Sequence, residues 1–348
     1  RDTVFERRSA MTQIFSTKNR PVHLGSYPLE RLRRVSSPAT LSGVPAMPTL
    51  SFHRPEKPES IVNAMAEFQA MMDAIRDGMV NREQASIPSD PRERANHLKA
   101  FGYYSDASMV GACGLTDAMA LSEPRRNPDI DRLSHALKTR QTKTLASGID
   151  MIMADLKDSM EAPPRSMHGH RHAIVFLYEH MRDPRRDEPG SDWIMDAQDH
   201  RACLRATETA VVIANYIRLL GFDARAHTAT STDVDLGKLA VAAGLVSVEG
   251  EELVASWLGT RFGVAAITTE MEIAHDAPLA AMSEQPWFST RGPAWWLGKG
   301  FGKSALNRDP FAKRNYADGA HPFERLKRVD TPTTYIDEAN VARVPKRT

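Results

Sequence analysis

Residues 173–178 read Ala173-Ile-Val-Phe-Leu-Tyr178, a continuous apolar run between a histidine-rich segment and an arginine- and aspartate-rich segment. A strand with one solvent-exposed face would alternate apolar and polar residues, whereas a strand buried on both faces is apolar throughout. The run therefore predicts a central strand that other elements cover on both sides.

A long helix is predicted after this run, over residues 199–220. Gly221 stands in the position that commonly ends helices. Apolar residues at helical spacing define the face that we expect to point inward, namely Leu204, Val211, Val212, Tyr216, Ile217 and Leu220.

Strand and helix signals continue to alternate beyond Gly221. Strands are predicted over 222–227 and 263–269, and a helix between them over 234–243, capped by Asp233 and ended by Gly244. The order strand, helix, strand, helix, strand is typical of an α/β fold. We expect a mixed or parallel sheet with helices on both faces.

An apolar stripe precedes the central strand, at Ile61, Met65, Phe68, Met72, Ile75 and Met79. Its steps of three and four residues predict an amphipathic helix. We expect Met65, Phe68, Met72 and Ile75 to face the core. A shorter helix is predicted over 92–101, and a buried strand over 107–113 that ends in Gly114.

Two stretches near the ends of the chain are similar to each other. Residues 28–40 and 322–334 share eight identities in thirteen positions at an offset of 294 residues. This offset is far longer than a solenoid period, so it predicts gene duplication of a whole domain. We divide the chain into an extended, proline-rich surface arm (1–58), an α/β core (59–277) and a linker with the start of a second copy (278–348).

The composition excludes several classes of partner. The 348 residues carry a net charge of +1, so there is no electrostatic footprint for nucleic acid. No stretch approaches the roughly 20 apolar residues of a membrane span. Arg7 and Arg8 are followed by no apolar segment of an export signal. We expect a cytoplasmic protein.

The cysteines limit the chemistry of the chain. An iron–sulfur cluster takes about four thiolates, and a structural zinc site about four ligands. Cys113 and Cys203, the two cysteines of the sequence, lie 90 residues apart and form no closely spaced pair. These residues therefore predict neither type of site.

Five segments carry a family resemblance, in this order: Ser105-Asp-Ala-Ser-Met-Val-Gly-Ala-Cys-Gly-Leu115, His172-Ala-Ile-Val-Phe-Leu-Tyr178, Ala214-Asn-Tyr-Ile-Arg-Leu-Leu-Gly-Phe-Asp-Ala-Arg-Ala-His227, Leu239-Ala-Val-Ala-Ala-Gly-Leu245 and Ala266-Ile-Thr-Thr269. Together they resemble the cobalamin-binding core of reductive dehalogenases, which epoxyqueuosine reductases share. The resemblance covers roughly residues 95–275. It implies a nitroreductase-like α/β fold with a mixed sheet.

The soluble, catabolic branch of that family resembles this chain best, because there a degenerate first core precedes the cobalamin-binding core. The sequence departs from the family at two places. After Leu245 the resemblance implies a glycine-rich turn that approaches the corrin, but Val246-Ser-Val-Glu-Gly250 stands here, and β-branched residues oppose such an approach. The cysteine-rich cluster motifs implied after Thr269 are absent.

These departures lead to a first hypothesis, that this chain is the non-catalytic N-terminal half of a reductive dehalogenase. It would then be a pseudoenzyme domain without a cofactor of its own. The resemblance implies that cobalamin and two 4Fe–4S clusters in the C-terminal catalytic half of the same polypeptide remove halide from an organohalide. That half is the expected partner, with a homodimer as a further one. Two alternatives stay open, an independent oxidoreductase that binds flavin or cobalamin, and a free-standing dimerisation module.

Three local motifs have features of catalytic or binding sites. His168, His170 and His172 occupy alternate positions, so they would share one face of a strand and could bind a metal ion together. No cysteine, aspartate or glutamate stands at a matching spacing to complete the set of ligands. Gly298-Lys-Gly-Phe-Gly-Lys-Ser304 is one residue too short for a P-loop. Tyr178, Glu179 and His180 end the central strand, where acid–base work requires convergence in a pocket. We predict no catalytic, cofactor-binding or metal-binding residue from these motifs.

Large aromatic residues follow the core. Trp287, Trp295 and Trp296, with Phe288, stand among glycines and prolines that cannot build a core of their own. The sequence therefore predicts that Trp287, Trp295 and Trp296 contact another domain.

Overall fold

A four-stranded sheet organises the computed structural model, which describes residues 20–36, 41–139, 166–181 and 183–286. All of them lie in the first of the two units into which the chain divides, Arg1–Leu306 and Asn307–Thr348. The helices are α1 (Ile61–Ala74), α2 (Pro91–Tyr104), α3 (Asp129–Thr139), α4 (Ser191–Ile194), α5 (Gln198–Leu219) and α6 (Leu236–Ala242).

The strands of the described residues form three sheets. They are β1 (Met109–Gly114), β2 (Ala120–Arg125), β3 (His172–Glu179), β4 (Ala224–His227), β5 (Thr232–Val234), β6 (Val246–Glu249), β7 (Glu252–Ala255) and β8 (Phe262–Thr269). The main sheet has the order β1-β3-β8-β4, while β2 pairs with β5, and β6 with β7. The apolar run of the sequence is thus β3, an inner strand of the main sheet.

The α/β class is confirmed, but the expected mixed sheet is corrected. Every pair of neighbours in the main sheet is antiparallel, and Val175 of β3 lies opposite Gly111 of β1 and Ala266 of β8. The strands β3 and β4, which α5 connects, do run in the same direction. They are not neighbours, because β8 lies between them and runs against both. The alternation of elements therefore predicted the common direction of β3 and β4, but neither the direction of β8 nor the pairing of the strands.

Helices cover both faces of the sheet, as the sequence predicted. Ile174 and Phe176 of β3 pack with α2 and α5 in one core cluster. Val175 and Leu177 point to the opposite face, where they pack with Leu239 of α6. Because successive side chains of a strand alternate between faces, an uninterrupted apolar run is what such a double layer requires.

Two glycines let helix and sheet approach closely. A Cβ atom on Gly263 of β8 would lie 2.4 Å from the carbonyl carbon of Ala202 in α5. On the other face, a Cβ atom on Gly111 of β1 would lie 2.5 Å from the carbonyl oxygen of Ala243, just after α6. Since real Cβ atoms do not approach backbone so closely, any larger residue there would push a helix off the sheet.

Helix α1 forms where predicted, and Met65, Met72 and Ile75, which were expected inward, are half-buried against core clusters, but the prediction is wrong for Phe68. Phe68 is 57% exposed. The buried residues are Val62, Ala66, Gln69, Ala70 and Asp73, a face rotated from the predicted stripe. Gln69 and Asp73 are buried because they hydrogen-bond to each other and to residues of distant segments, which outweighs the apolar periodicity.

Helix α5 shows a smaller error of the same kind. Val212 is 47% exposed and Tyr216 42% exposed, although both were expected inward. Small residues such as Ala206, Ala210 and Ala214 face the sheet instead, because α5 lies close to β8. The predicted end of the helix is confirmed, and Gly221 there has a φ of +87°.

The cap of helix α6 also differs from the prediction. Asp235, not Asp233, caps it, and its Oδ1 accepts a hydrogen bond from the backbone N–H of Lys238 at 3.1 Å. Asp233 belongs to β5 and forms an ion pair with Arg76 instead. Gly244 follows the helix with a φ of +63°, in agreement with its predicted role.

The described part of the N-terminal arm carries short 3₁₀ turns and neither strand nor α-helix. It does not simply run over the surface, however. Tyr27, Leu29 and Leu32 are buried in the core cluster on the α6 side, and Phe52 packs with Val62 of α1. The arm is therefore part of the core, because its apolar side chains cover surface that the helices leave open.

Candidate functional site

A cavity of about 350 Å³ lies at one end of the main sheet. Its apolar wall includes Met47 of the arm, Leu253 of β7, and Phe262 and Val264 of β8. This volume is at the lower end of the range of pockets that bind small molecules, about 300–1,000 Å³, and mainly apolar walls are typical of such pockets. The cavity is the candidate site of the described residues.

Among the polar residues that line the cavity, three come together from neighbouring elements. His180 directly follows β3, and Arg261 directly precedes β8. The antiparallel register pairs Glu179 with Phe262, which brings these two residues to the same edge of the sheet. Asp199 joins them from the first turn of α5.

Asp199 links the histidine and the arginine. Its Oδ1 lies 2.9 Å from Nδ1 of His180 and 3.1 Å from a guanidinium nitrogen of Arg261. The His180 side chain is only 11% exposed. Burial lowers the pKa of His180, which the Asp199 carboxylate raises only in part. The imidazole is therefore neutral at neutral pH.

Neither ring nitrogen of His180 has a hydrogen-bond partner among the described residues. The contact with Asp199 is short, but it is not aligned as a hydrogen bond. Buried polar atoms are nearly always satisfied by protein or by water. The imidazole of His180 is therefore a polar group of the cavity wall that can still accept or donate a hydrogen bond.

The other two residues at the end of β3 have structural roles. Tyr178 donates its hydroxyl hydrogen bond to the carbonyl of Ser105 and lies against the hydroxyl of Thr209, and burial raises its pKa. Glu179 accepts a hydrogen bond from the hydroxyl of Tyr27 at 3.2 Å. Of the three residues at the end of β3, His180 is the one that lines the cavity.

The alternating histidines do not converge on one point. His170 is buried, and its Nδ1 lies 2.7 Å from the hydroxyl of Thr268. His172 shares a hydrogen bond of 2.8 Å with His275. In the described segments no group of three or more histidine, cysteine or acidic side chains could hold a metal ion.

The hairpin β6–β7 stands in the sequence where the resemblance implies a glycine-rich turn that approaches the corrin. Gly250 in its turn has a φ of +63°, and Glu251, Glu252 and Leu253 line the cavity. Cobalamin is several times larger than a ligand that a cavity of about 350 Å³ encloses. The cavity beside this hairpin is therefore too small to enclose that cofactor.

The cysteines do not fit an iron–sulfur cluster either. Cys113 and Cys203 are both buried, and burial raises the pKa of each thiol to about 12. They belong to different core clusters. A cluster needs about four converging thiolates, which two separate protonated thiols cannot supply.

Sequence reasoning missed most of this site. Asp199, Arg261 and the arm residues around Met47 were not singled out, and only His180 had been considered. No local pattern could have found them, because they meet through the register of β3 and β8 and the path of the arm. The predicted contact residues Trp287, Trp295 and Trp296, and the glycine-rich segment 298–304, lie outside the described residues.

Solved structures similar to this chain include the catabolic reductive dehalogenase NpRdhA. The match has 30% sequence identity, covers 92% of this chain and has a TM-score of 0.61. One such structure contains 3-bromo-4-hydroxybenzoic acid, and one is described as suggesting a mechanism for B12-dependent dehalogenation. The chain spans 39% of the length of that protein. The resemblance predicted from the sequence is thereby confirmed.

A weaker match is to epoxyqueuosine reductase from Streptococcus thermophilus. The match has 13% sequence identity and a TM-score of 0.30, and it covers 57% of this chain and 49% of the reductase. A similarity this low supports no conclusion about this chain. No family model matches the sequence, and no curated protein matches it.

Proposed function

We propose that this chain is the non-catalytic N-terminal half of a reductive dehalogenase. The proposal starts from the similarity to such an enzyme, which extends over 92% of this chain but only 39% of the enzyme. In the full polypeptide, cobalamin and two 4Fe–4S clusters in the C-terminal half would remove halide from an organohalide. This half would act as a scaffold for that catalytic half.

The cysteine inventory is the observation that carries the proposal. A two-cluster enzyme needs about eight thiolate ligands, at about four for each cluster. The sequence has two cysteines, and both thiols are buried and protonated in separate parts of the core. The cluster ligands must then come from residues outside this chain. This matches a chain that corresponds to 39% of its relative.

The hairpin β6–β7 supports the same assignment. Its backbone pairs Val246 with Ala255 and Val248 with Leu253, so the segment forms a small sheet of its own. Val246 and Leu253 are buried in the core cluster on the α6 side. Packing of this kind supports the proposal that the segment is structural in this half.

The expected partners follow from this assignment. The C-terminal half of the same polypeptide is the proposed principal partner, with a homodimer as a further assembly. A cytoplasmic location fits a catabolic enzyme of this kind. Among the described helices, none is long and apolar enough to cross a membrane.

The test compares this chain with the longer polypeptide to which it would belong. Both are reconstituted with cobalamin, iron and sulfide, desalted, and analysed for cobalt and iron by mass spectrometry. Bromide release from 3-bromo-4-hydroxybenzoic acid is then measured with a chemical reductant. We expect metal retention and bromide release from the longer polypeptide alone. Stoichiometric cobalt or iron in this chain, or bromide released by it, would refute the proposal.

The same samples separate the two alternatives. A flavin or corrin absorbance band that survives desalting of this chain would support an independent cofactor-binding oxidoreductase. A free-standing dimerisation module would form a stable dimer in sedimentation experiments, and the gene would continue into no cysteine-rich segment.

A further inference from the structure

Exposed apolar side chains are concentrated on one of the two helical layers that cover the main sheet. Helices α1, α2 and α5 belong to this layer, and they expose Phe68, Tyr104, Val212, Tyr216 and Leu219. In the opposite layer, α6 and the hairpin β6–β7 expose no large apolar side chain. Apolar surface of this kind marks a site of contact with another macromolecule.

The outer face of α5 has the pattern of a helix that packs against a second helix. Val212, Asn215, Tyr216 and Leu219 are all exposed and follow the spacing i, i+3, i+4 and i+7. The charged residue of the same stretch, Arg218, is 3% exposed. Residues 212–219 therefore expose no charge, and we call the four exposed residues the α5 seam.

The neighbouring helices extend this surface and hold it in place. The ring of Tyr216 meets the ring of Phe101 in α2 edge to face, with the ring centroids 5.5 Å apart. A tyrosine that is already held loses little freedom on binding, and tyrosine is a frequent hot-spot residue of interfaces. Tyr104 lies at the end of α2, and Phe68 lies on α1, which packs along α5.

The path of the chain argues against the C-terminal half as the partner of the α5 seam. Leu279 forms a bridge with Arg34 of the arm and is buried in the core cluster on the α6 side. The side chain of Gln285 donates a hydrogen bond to the carbonyl of Arg33 at 2.9 Å. The described chain therefore ends on the α6 side of the sheet, opposite to the seam. Trp287, proposed above as a contact of the C-terminal half, follows directly in the sequence.

The α5 seam is complementary to itself. In a two-fold symmetric dimer, two residues that meet do so twice, once on each side of the axis. An antiparallel pair of α5 helices, with the axis between Asn215 and Tyr216, places Val212 of each copy opposite Leu219 of the other. It also places Asn215 opposite Tyr216, where an amide and a phenolic hydroxyl can hydrogen-bond. Each residue of the seam then meets a partner of matching chemistry.

We propose that the α5 seam is the contact between two copies of this chain, which pack antiparallel about a two-fold axis. A specific interface of standard size buries about 800 Å² on each partner, which is more than one seam provides. Phe68 of α1 and Tyr104 of α2 therefore belong to the buried surface. The inference rests on the proposed function in one respect, because it gives a face to the homodimer named there as a further assembly.

Sedimentation velocity of the 348-residue chain, in a concentration series up to about 100 μM, measures this association. We expect a dimer. Val212→Glu places a carboxylate against Leu219 of the second copy and should raise the Kd of the dimer by more than about tenfold. The matched control is Val22→Glu in the arm, since Val22 is 52% exposed and Val212 47%. This control should dimerise as the parent chain does.

Two outcomes of this experiment overturn the proposal. One is a parent chain that stays monomeric throughout the series. The other is a Val212→Glu chain that is folded, as thermal unfolding followed by circular dichroism shows, and dimerises with the parent affinity.

Cross-linking tests the antiparallel register. Cys113 and Cys203 are buried, so mild oxidation reports on thiols introduced at the surface. A mixture of Val212→Cys and Leu219→Cys chains should form disulfide-linked heterodimers, because a disulfide needs Cα atoms within about 7 Å. Val212→Cys alone should not cross-link, since the antiparallel pairing separates the two copies of this position by about 10 Å along the helix axis. Cross-links in Val212→Cys alone, or none in the mixture, contradict the register.

The longer polypeptide distinguishes a second copy from the C-terminal half as the partner of the seam. We expect it to dimerise as well, and its Val212→Glu variant to be monomeric with unchanged metal content and bromide release. A monomeric parent polypeptide whose separately supplied halves are released from each other by Val212→Glu would refute the proposal, because the C-terminal half would then cover the seam.

Failure of this inference is distinguishable from failure of the proposed function. Metal retention and bromide release by the longer polypeptide test the scaffold role and do not depend on the dimer. A dimer of this chain does not by itself favour the free-standing dimerisation module, which also requires that no cysteine-rich segment follows.

Discussion

The carboxylate of Asp233 lies among three basic side chains in the core. It is 2.6 Å from Arg76, 3.5 Å from Arg225 and 3.5 Å from Nδ1 of His227, and its side chain is 8% exposed. Burial alone would raise the pKa of Asp233, but the hydrogen bond and charge of Arg76 hold it below its ordinary value. The ion pair thus links the segment after α1 to β5.

We predict that Asp233→Asn lowers the free energy of unfolding by about 3–5 kcal/mol at neutral pH, because it leaves Arg76 buried without its anion. A depressed pKa gives a stabilisation that is present above the ordinary pKa and is lost as the pH falls through the folded-state value. The difference between the variant and the parent chain should therefore shrink below the ordinary value of 3.8. Urea unfolding at a series of pH values measures it.

The control for this prediction is an exposed pair of the same chemistry. Asp131 is 75% exposed and lies 3.0 Å from Arg126. Asp131→Asn should cost less than about 1 kcal/mol, since exposed pairs are screened by water. Equal costs for Asp233→Asn and Asp131→Asn would show that burial does not set the strength of the pair.

At the scale of elements, helix α1 shows what the sequence can and cannot give. Its apolar periodicity predicted a helix after Pro58, and the helix is Ile61–Ala74. Phe68 lies outside, contrary to the prediction, because the buried face also carries Asp73, which accepts hydrogen bonds from Thr228 and Asn127, each far away in the sequence. Apolar periodicity carries no information on such partners.

The second prediction compares the two faces of α1. Phe68→Ala should lower the free energy of unfolding by less than about 1 kcal/mol, because Phe68 is 57% exposed. Val62→Ala removes fully buried methyl groups and should cost about 1.5–3 kcal/mol. Chemical denaturation of both variants decides between the faces. A larger loss for Phe68→Ala would restore the register that the apolar stripe suggested.

The elements predicted best are those whose signals are local. The strand over 263–269 is observed as Phe262–Thr269, and the helix over 199–220 as Gln198–Leu219. The order of strands was not predictable in the same way, because β8 comes last in the described chain and lies between β3 and β4. The cavity was missed for the same reason, since distant segments build it.

The third prediction concerns the end of α5. Gly221 has a φ of +87°, and a Cβ atom there would lie 2.6 Å from the carbonyl oxygen of Glu83. Gly250 has a φ of +63° and open space around it. Gly221→Ala and Gly250→Ala should each lower the free energy of unfolding by about 1–2 kcal/mol, because alanine disfavours the left-handed conformation. Gly221→Ala should cost roughly 1–3 kcal/mol more, because the backbone at Glu83 must move. Equal thermal shifts of the two variants would contradict the close contact.

At the scale of the whole molecule, the proposed contact with the C-terminal half gives a fourth prediction. Tryptophan emission of the longer polypeptide should be blue-shifted relative to this chain, because Trp287, Trp295 and Trp296 would become buried. Trp193 is 63% exposed and would add its own solvent-exposed emission to both spectra, so both proteins carry Trp193→Phe. Trp257, 4% exposed, gives a constant background.

Replacement of Trp295 and Trp296 by alanine should then weaken the association of the two halves, supplied as separate chains, by more than about 2 kcal/mol if they form a hot spot. The matched control is Trp193→Ala, at another exposed tryptophan. Unchanged association of the double variant, with unchanged emission in the longer polypeptide, would show that these aromatic residues pack locally.

The late position of β8 has a consequence for synthesis on the ribosome. Until Phe262–Thr269 has emerged, β3 can pair with β1 on one side only, and β4 has no neighbour in the main sheet. The nascent chain therefore exposes one edge of the apolar strand β3 for as long as it takes to make the residues between β3 and β8. Chaperones that hold unpaired strand edges should engage this protein during that interval and release it once β8 is inserted.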